Sequence, residues 1–490
     1  MTPLTIQQAF GLAMQRHEAG RLHEAEQLYR QILAQQPEHA GAMQFLGVIA
    51  NQVGRNDIAV GLIRRAIGLN PNVAEAYNNL GNALKDQGQL DEAIAAFRQA
   101  LALNPNLPEA HNNLGSALKD QGQLDEAIAA YRQAIALRPT YADAHNNLGN
   151  ALKDQGQLDE AVAAFRQAIA LKPDYAEFHF NLSLSLLTSG DFQQGWEEHE
   201  WRWKCKEFPT PARNFPQPQW DGCPLEGRTL LLHTEQGHGD AVQFIRYLPL
   251  VEQRGGRIII ECYAELQRLF QTMAGRCQVV FRGQPLPAFD LHCPLLSLPR
   301  VFGTNLANIP NIVPYLHADA EDAGRWQHRL ADHSPFVKVG LGWTGRLTHK
   351  NDRNRSMKLA KLAPLGQVGG VRFFSLQKGA AADEAKAPPP GMGLVNCSEE
   401  LKDFADTAAL IANLDLVIAV DTAVVHLAGA MGKPVWTLLP FASDWRWLLE
   451  RQDSPWYPTM RLFRQSRIGD WDAVITRVVE ALSLWIKNRA

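Results

Sequence analysis

The front of the chain carries apolar positions at helical spacing. Tyr77, Leu80, Gly81 and Leu84 stand at i, i+3, i+4 and i+7, the inner stripe of an amphipathic helix. Small Gly81 and Ala93 let a second helix approach closely, and Phe97 and Ala100 give that helix its packing face. Gly88 serves the turn between them, and Pro105 ends the unit because it cannot continue a helix. From about Pro209 the pattern changes. Pro-rich RNFPQPQWDGCPLEG reads as a linker into short apolar runs: TLLLHT, RIIIECY, CQVVF and FDLHC. After a loop-rich stretch near 305–335 come FVKVGLGWT, VRFFSLQ, GLVNC, LDLVIAVDT, KPVWTLLP and TMRLF. Helical patterns separate the runs. This alternation predicts parallel sheets with helices on both faces, and the two groups of strands predict two Rossmann-like lobes.

The front half repeats itself. NNLGNALKDQGQLDEA begins at Asn78, returns with one change at Asn112, and returns again at Asn146, a step of 34 residues that Pro37, Pro71, Pro105, Pro139 and Pro173 also keep. This is the period and pattern of tetratricopeptide repeats. Units at 6–39, 40–73, 74–107, 108–141 and 142–175 are followed by an atypical one from 176, which runs into aromatic GWEEHEWRW and reads as a cap. Asn79, Asn113, Asn147 and Asn181 share one position of successive first helices. An amide donates and accepts at once, so such a column suits an extended peptide read through its backbone. The column is equally readable as solvated repeat consensus.

Composition narrows the classes. The 490 residues call for two or three domains. Lys+Arg 48 against Asp+Glu 51 argues against a general nucleic-acid binder. The first twenty residues hold no apolar stretch of signal-peptide length, and no run approaches a membrane span, so a cytoplasmic, non-spanning chain is expected. Six scattered cysteines without zinc-ligand spacing read as free thiols, and no metal site is expected.

Candidate chemistry lies where parallel strands end. The loop after the first strand, EQGHGDAVQFIRYLP, lacks the third glycine of a dinucleotide fingerprint and the GK[ST] of a P-loop. Gly237 and Gly239 bring Asp240 to the cleft edge, as a general base or as a cap of the next helix. GWTGRLTHKNDRNRS follows Trp343 and Thr344 with Arg346, Lys350, Arg353, Arg355 and Ser356, a loop suited to a diphosphate or simply an exposed charged one. SLQKG sets Gln377 and Lys378 at the next strand end. In LVIAVDTAVVHLAGAMGKPVW a buried strand ends at Asp421 and Thr422, and a helix begins at once. Its free N–H groups favour a phosphate. His426 lies on the same face as Thr422, as a ligand contact or as a packed histidine.

At these motifs the chain resembles a known family. DTAVVHLAGAMGKP and GHGDAVQFIRYLP resemble motifs of the heptosyltransferases of lipopolysaccharide synthesis. The whole order, from GWEEHEWRW through FPQPQWDG, FDLHCPLLSLP and SLQKG, is similar to bacterial tetratricopeptide-repeat glycosyltransferases, and the asparagine column resembles the ladder of O-GlcNAc transferases. The resemblance implies a metal-independent glycosyltransferase of the GT-B type using a nucleotide-sugar as co-substrate, without a resident cofactor; one base and no second carboxylate nucleophile would make it inverting. It implies Asp240 as the base. By motif position diphosphate contacts would fall on Lys350, Arg353, Arg355 and Lys378, and nucleotide or donor contacts on Asp421, Thr422 and His426; from their strand-end placement Trp343, Ser356 and Gln377 join the expected donor side, and Asn79, Asn113, Asn147 and Asn181 the acceptor side. Ala423 stands where heptosyltransferases usually carry glycine. Asp470-Trp471-Asp472 reads as a helix cap rather than a metal site.

The expected fold class is thus α + α/β: a solenoid of about six repeats over 1–205, a first Rossmann-like lobe over 206–320 on the acceptor side, and a second over 321–490 on the nucleotide-sugar side. The expected acceptor is a protein Ser/Thr hydroxyl held by the repeat groove. A glycan-directed transferase with docking repeats, or a non-enzymatic repeat adaptor, are the rivals. Self-association through the repeats stays open.

Overall fold

The computed structural model describes residues 4–273, 275–346 and 351–489. It divides into two compact units, Met1–Leu182 and Ser183–Ala490.

The first unit is a helical array. Helices Ile6–Glu18 and Leu22–Gln35 form one hairpin, followed by Ala40–Gln52 with Asn56–Leu69, Ala74–Asp86 with Leu90–Leu103, Pro108–Gln121 with Leu124–Leu137, and Ala142–Asp154 with Leu158–Leu171. Helix Ala176–Ser189 follows. The repeat glycines are required by contact. A Cβ on Gly81 would lie 2.5 Å from the Phe97 ring, one on Gly115 2.7 Å from Tyr131, and one on Gly149 2.8 Å from Phe165. Each aromatic is fully buried, so the ring of the second helix presses on the bare backbone of the first.

The second unit holds two parallel sheets. Strands β1 (Thr229–His233), β2 (Arg257–Cys262), β3 (Gln278–Phe281) and β4 (Leu291–Pro294) make the first, in the order β3-β2-β1-β4. Strands β5 (Val337–Gly342), β6 (Val371–Ser375), β7 (Leu394–Val395), β8 (Leu416–Val420), β9 (Val435–Leu439) and β10 (Met460–Arg464) make the second, in the order β10-β9-β8-β5-β6-β7. Each apolar run of the sequence is one of these strands. Alternation along β1 shows both faces covered: Leu230 and Leu232 enter a core that also takes Val417, Ala419 and Leu439, while Leu231 packs with Ile259 and Val280 on the other side.

The aromatic segment ahead of these sheets, helix Phe192–His199 and the turn Glu200–Lys204, belongs to the second unit. Phe192 and Trp196 join its core, and Trp196 Nε1 donates to the Thr304 carbonyl at 3.1 Å. The compact boundary therefore falls before this segment, whereas the sequence reading carries the solenoid to residue 205. No helix among the described residues is long and apolar enough to cross a membrane.

Candidate active site

Each sheet has a point where its connections part. Propagation reverses between β1 and β4 in the first sheet and between β5 and β8 in the second. Loops leaving the strand ends on either side of such a point diverge and open a crevice. Asp240 follows β1, the basic loop follows β5, and Asp421 and Thr422 follow β8, so three sequence motifs lie at two crevices. Two of them meet. Helices His238–Phe244 and Ala423–Ala430 cross so closely that a Cβ on Gly239 would lie 3.0 Å from the His426 ring and 3.4 Å from Ala423 Cα. Gly239 is what lets the loop of one sheet touch the helix start of the other.

Asp240 is fixed at both oxygens. Oδ2 accepts from the Gly237 N–H at 2.7 Å, closing the first turn of its own helix, and Oδ1 pairs with Arg446. The capping role read from the sequence is thus taken by Oδ2. Arg446 sits in the turn Trp445–Trp447 after β9 and is nearly buried. Its Nη1 reaches Asp444 Oδ1 at 2.8 Å, its Nε reaches Gln243 Oε1, and Trp445 lies 4.3 Å from its guanidinium carbon. Burial works against the charge of Arg446, but Asp444 and Asp240 together hold its pKa above the usual arginine range.

Asp421 is 9% exposed. Burial and the neighbouring Asp444 push its carboxyl up to about 6, against the pull of Arg355 and Arg446. Its backbone carbonyl accepts from Arg355 Nη1 at 3.2 Å. Thr422 is part-exposed at the helix start, and its side chain makes no capping hydrogen bond. His426 is buried, shares a hydrogen bond with the Tyr457 hydroxyl at 3.0 Å through Nδ1, and stacks on Trp447 at 5.4 Å. Burial, reinforced by Arg446, Arg246 and Arg355, holds its pKa well below the usual value, so the ring is neutral at pH 7.

The β5 loop divides into support and surface. Trp343 follows β5 and is fully buried in a core shared with Val339, Leu341 and Ile418 of the second sheet. Gln377 accepts from the N–H groups of Trp343 and Thr344, each at 3.0 Å, and donates to the carbonyls of Thr344 and Lys378. These two residues, expected as donor contacts, hold the base of the loop through these bonds. Ser356 likewise accepts from the Gly345 N–H at 2.9 Å and donates to Asp352 at 2.7 Å. Arg353 is exposed, and Arg355 lies over Gly345, where a Cβ would come 2.7 Å from its Nη2. Lys378 is exposed, with Nζ donating to the Ser398 carbonyl at 2.8 Å. Lys350 lies outside the described residues. Asp470 caps helix Trp471–Lys487 by accepting from the Ala473 N–H.

In the repeat unit the asparagines do form a column, but its first links run between repeats. Asn113 Nδ2 donates to Asn78 Oδ1, Asn147 to Asn112, and Asn181 to Asn146, at 3.0, 3.0 and 2.9 Å. Each of these donors thereby uses one amide N–H on its neighbour. Asn79 has Gln44 and Phe45 one repeat earlier, so the column begins with Asn78.

Arg446, Asp444 and Trp447 were not picked out from the sequence. The signal was there: DWRW follows an apolar strand at its carboxyl end, the same placement that selected Asp421.

Known proteins match along most of this layout. Residues 11–74, 62–95, 81–122, 115–156 and 149–190 match tetratricopeptide repeat families, and residues 361–447 match glycosyltransferase family 9 (heptosyltransferase). Protein FlbA of Caulobacter vibrioides is 31% identical over 319 residues, 60% of this chain and 53% of FlbA, so the chain spans about half the length of that curated relative. The crystal structure of MamA is 28% identical, covering 34% of this chain and 96% of that one with a TM-score of 0.30. TTC0263, a thermophilic TPR protein of Thermus thermophilus, is 23% identical over 37% of this chain and 100% of its own, with a TM-score of 0.34. The chain joins tetratricopeptide repeats in its N-terminal region to a glycosyltransferase family 9 (heptosyltransferase) domain in its C-terminal one.

Proposed function

We propose that the second unit is a GT-B type glycosyltransferase that moves a sugar from a nucleotide-sugar to a hydroxyl. The contact of Gly239 with Ala423 and His426 carries the reading, because it joins a candidate base to a candidate phosphate site at the ends of two parallel sheets. Asp240 takes the proton of the acceptor hydroxyl as its oxygen attacks the anomeric carbon. The nucleoside diphosphate leaves toward Arg353, Arg355 and the N–H groups that open helix Ala423–Ala430, so fixed positive charge meets the departing negative one without a metal. One base and no second carboxylate nucleophile give inversion at the anomeric carbon. Neutral His426 packs against Trp447 and Tyr457 and shapes the site; it is not a charge for the diphosphate.

The acceptor in this reading is a Ser or Thr of a polypeptide lying along the asparagine column. The inter-repeat hydrogen bonds support it by fixing the amides in advance, which lowers the ordering cost of binding. A glycan acceptor, with the repeats as a docking scaffold, is the second reading, and the family 9 match favours it. Calorimetric titration with UDP-, GDP-, ADP- and CMP-linked sugars, without added metal, tests the donor site. Binding of one, weakened by Arg355→Ala, is expected. Asp240→Ala should then lower kcat by about 10²–10⁴-fold, and full transfer by that variant removes the base role. Asn113→Ala with Asn147→Ala separates the acceptors: transfer to a Ser/Thr peptide falls, transfer to a glycan does not.

A further inference from the structure

We infer that Arg446 is a positioning residue for Asp240, holding the carboxylate charged and aimed from the opposite sheet. The inference rests on the reading of Asp240 as the base. Three nitrogens of one guanidinium are each committed: Nη2 to Asp240, Nη1 to Asp444, and Nε to Gln243, which lies on the same helix as Asp240. Gln243 is fully buried, and Arg446 rests against Trp445 and Phe244. The arginine is therefore locked by two points on the Asp240 helix and one on its own turn. Asp240 Oδ2 is locked independently by Gly237. A carboxylate held at both oxygens is fixed in orientation toward an incoming hydroxyl.

The charged neighbourhood explains why a cation is needed there. Asp444 comes from the turn after β9, Asp421 and His426 from the end of β8, Arg355 from the β5 loop, Glu235 from the end of β1 and Tyr263 from the end of β2. Three of these are carboxyl groups: Glu235 lies close enough to repel the Asp240 charge, and Arg446 pairs with Asp240 and Asp444 together, so loss of the arginine leaves like charges facing one another. Arg446 thus couples two jobs. It neutralises the crowd of carboxylates and carries the geometry from the donor-side sheet to the base.

Two measurements test it. The first needs no sugar: the Asp240 carboxyl is titrated by infrared difference spectroscopy against Asp240→Asn, in the natural protein and in Arg446→Gln. The midpoint is expected to move upward by about one pH unit or more on loss of the cation. An unmoved midpoint overturns the inference whatever the transfer assay shows. The second is the pH profile of transfer with the nucleotide-sugar chosen by calorimetry. In Arg446→Gln, kcat should fall by about 10²-fold, donor KM should change by less than about threefold, and the acid limb should move to higher pH. Arg446→Lys should recover at least part of kcat and return the limb toward its original place. A loss seen mainly in KM makes Arg446 a donor contact and overturns the positioning role. Should Arg446→Gln fail to fold by circular dichroism, Arg446→Met, an unbranched side chain without the charge, carries both arms. A shifted midpoint in a protein that binds none of the nucleotide-sugars would leave the pair intact and overturn the proposed function.

Discussion

The two units place their charges in opposite ways. In the repeats, three guanidinium groups find their carboxylates in the next repeat and in water: Arg64 with Glu92, Arg98 with Glu126 and Arg132 with Glu160, at 2.6, 2.9 and 2.8 Å, every side chain more than half exposed. In the second unit, Arg202, Arg246 and Arg446 are buried and bond to residues far along the chain. Arg202 grips Glu235 through two nitrogens at 2.9 and 2.8 Å, and both side chains are fully buried. Glu200 and Ser297 complete the set. Exposed pairs gain little because water already solvates both ions. Buried pairs commit the fold, because neither partner tolerates the loss of the other. The repeats hold themselves by apolar contact and mark their register with charge; the second unit uses charge to position loops.

The largest effect should come from breaking the buried set. Arg202→Ala leaves Glu235 without its cation, in a place where burial already pushes that carboxyl above its usual range. A loss of about 3–5 kcal/mol of stability in urea titration is expected. Adding Glu235→Gln should return a good part of it. A loss below about 1 kcal/mol would erase the contrast with the repeats. Because Glu235 lies five residues before Asp240 in the same loop, the double variant should also reveal whether that loop keeps its shape once the charges are gone.

Next comes the repeat unit's own constraint, which is steric. Gly115→Ala drives a methyl into the Tyr131 ring, itself without room to retreat. Overpacking of this kind costs about 1–3 kcal/mol, more than the gain in helix propensity of about 1 kcal/mol. Unfolding of the variant, followed by circular dichroism, should show a net loss despite the better helix former. A stabilised variant would mean that the ring moves freely.

A smaller effect is a slope rather than an offset. Asp421 has an ordinary value of 3.8 and is raised to about 6 in the folded chain. Across that window the folded state holds a proton that the unfolded state has released, so stability falls as pH rises through it. Asp421→Asn should remove up to about 1.4 kcal/mol per pH unit of that fall. The check is a comparison of urea midpoints at several pH values between 4 and 7, with identical slopes in the two proteins counting against the burial of the charge.

These contrasts also explain what the sequence could reveal. Asn78, Asn112 and Asn146 announce the repeat because each unit makes the same contacts again one step of 34 residues further on. The strands are visible because both faces of a parallel sheet are buried, which leaves unbroken apolar runs such as LDLVIAV. Asp240, Asp421 and Thr422 could be picked out because a strand end followed by glycine or by a helix start is a local signal. The partner of Asp240 could not, since Arg446 stands 206 residues away and no spacing connects them. Trp343 and Gln377 were placed correctly at strand ends, yet which way they face depends on the loop that folds back over them. The asparagine column was legible as a column, but its hydrogen bonds join the first asparagine of one repeat to the second of the next, a diagonal that a single-repeat pattern does not show.

The smallest effect tests the other side of the comparison. Arg98 and Glu126 are 58% and 56% exposed and lie at 2.9 Å, so a double-mutant cycle to alanine should give a coupling of about 0.2–1 kcal/mol. Most of it should vanish in 1 M salt, where the screening length falls to about 3 Å. Arg64–Glu92 and Arg132–Glu160 repeat the geometry, so the three couplings should agree and should add, because their sites share no partner. Couplings that add identify the ladder as a set of independent surface contacts. Couplings that exceed their sum would mean that the repeats transmit charge along the array, and the distinction between a passive scaffold and a positioned active unit would no longer hold.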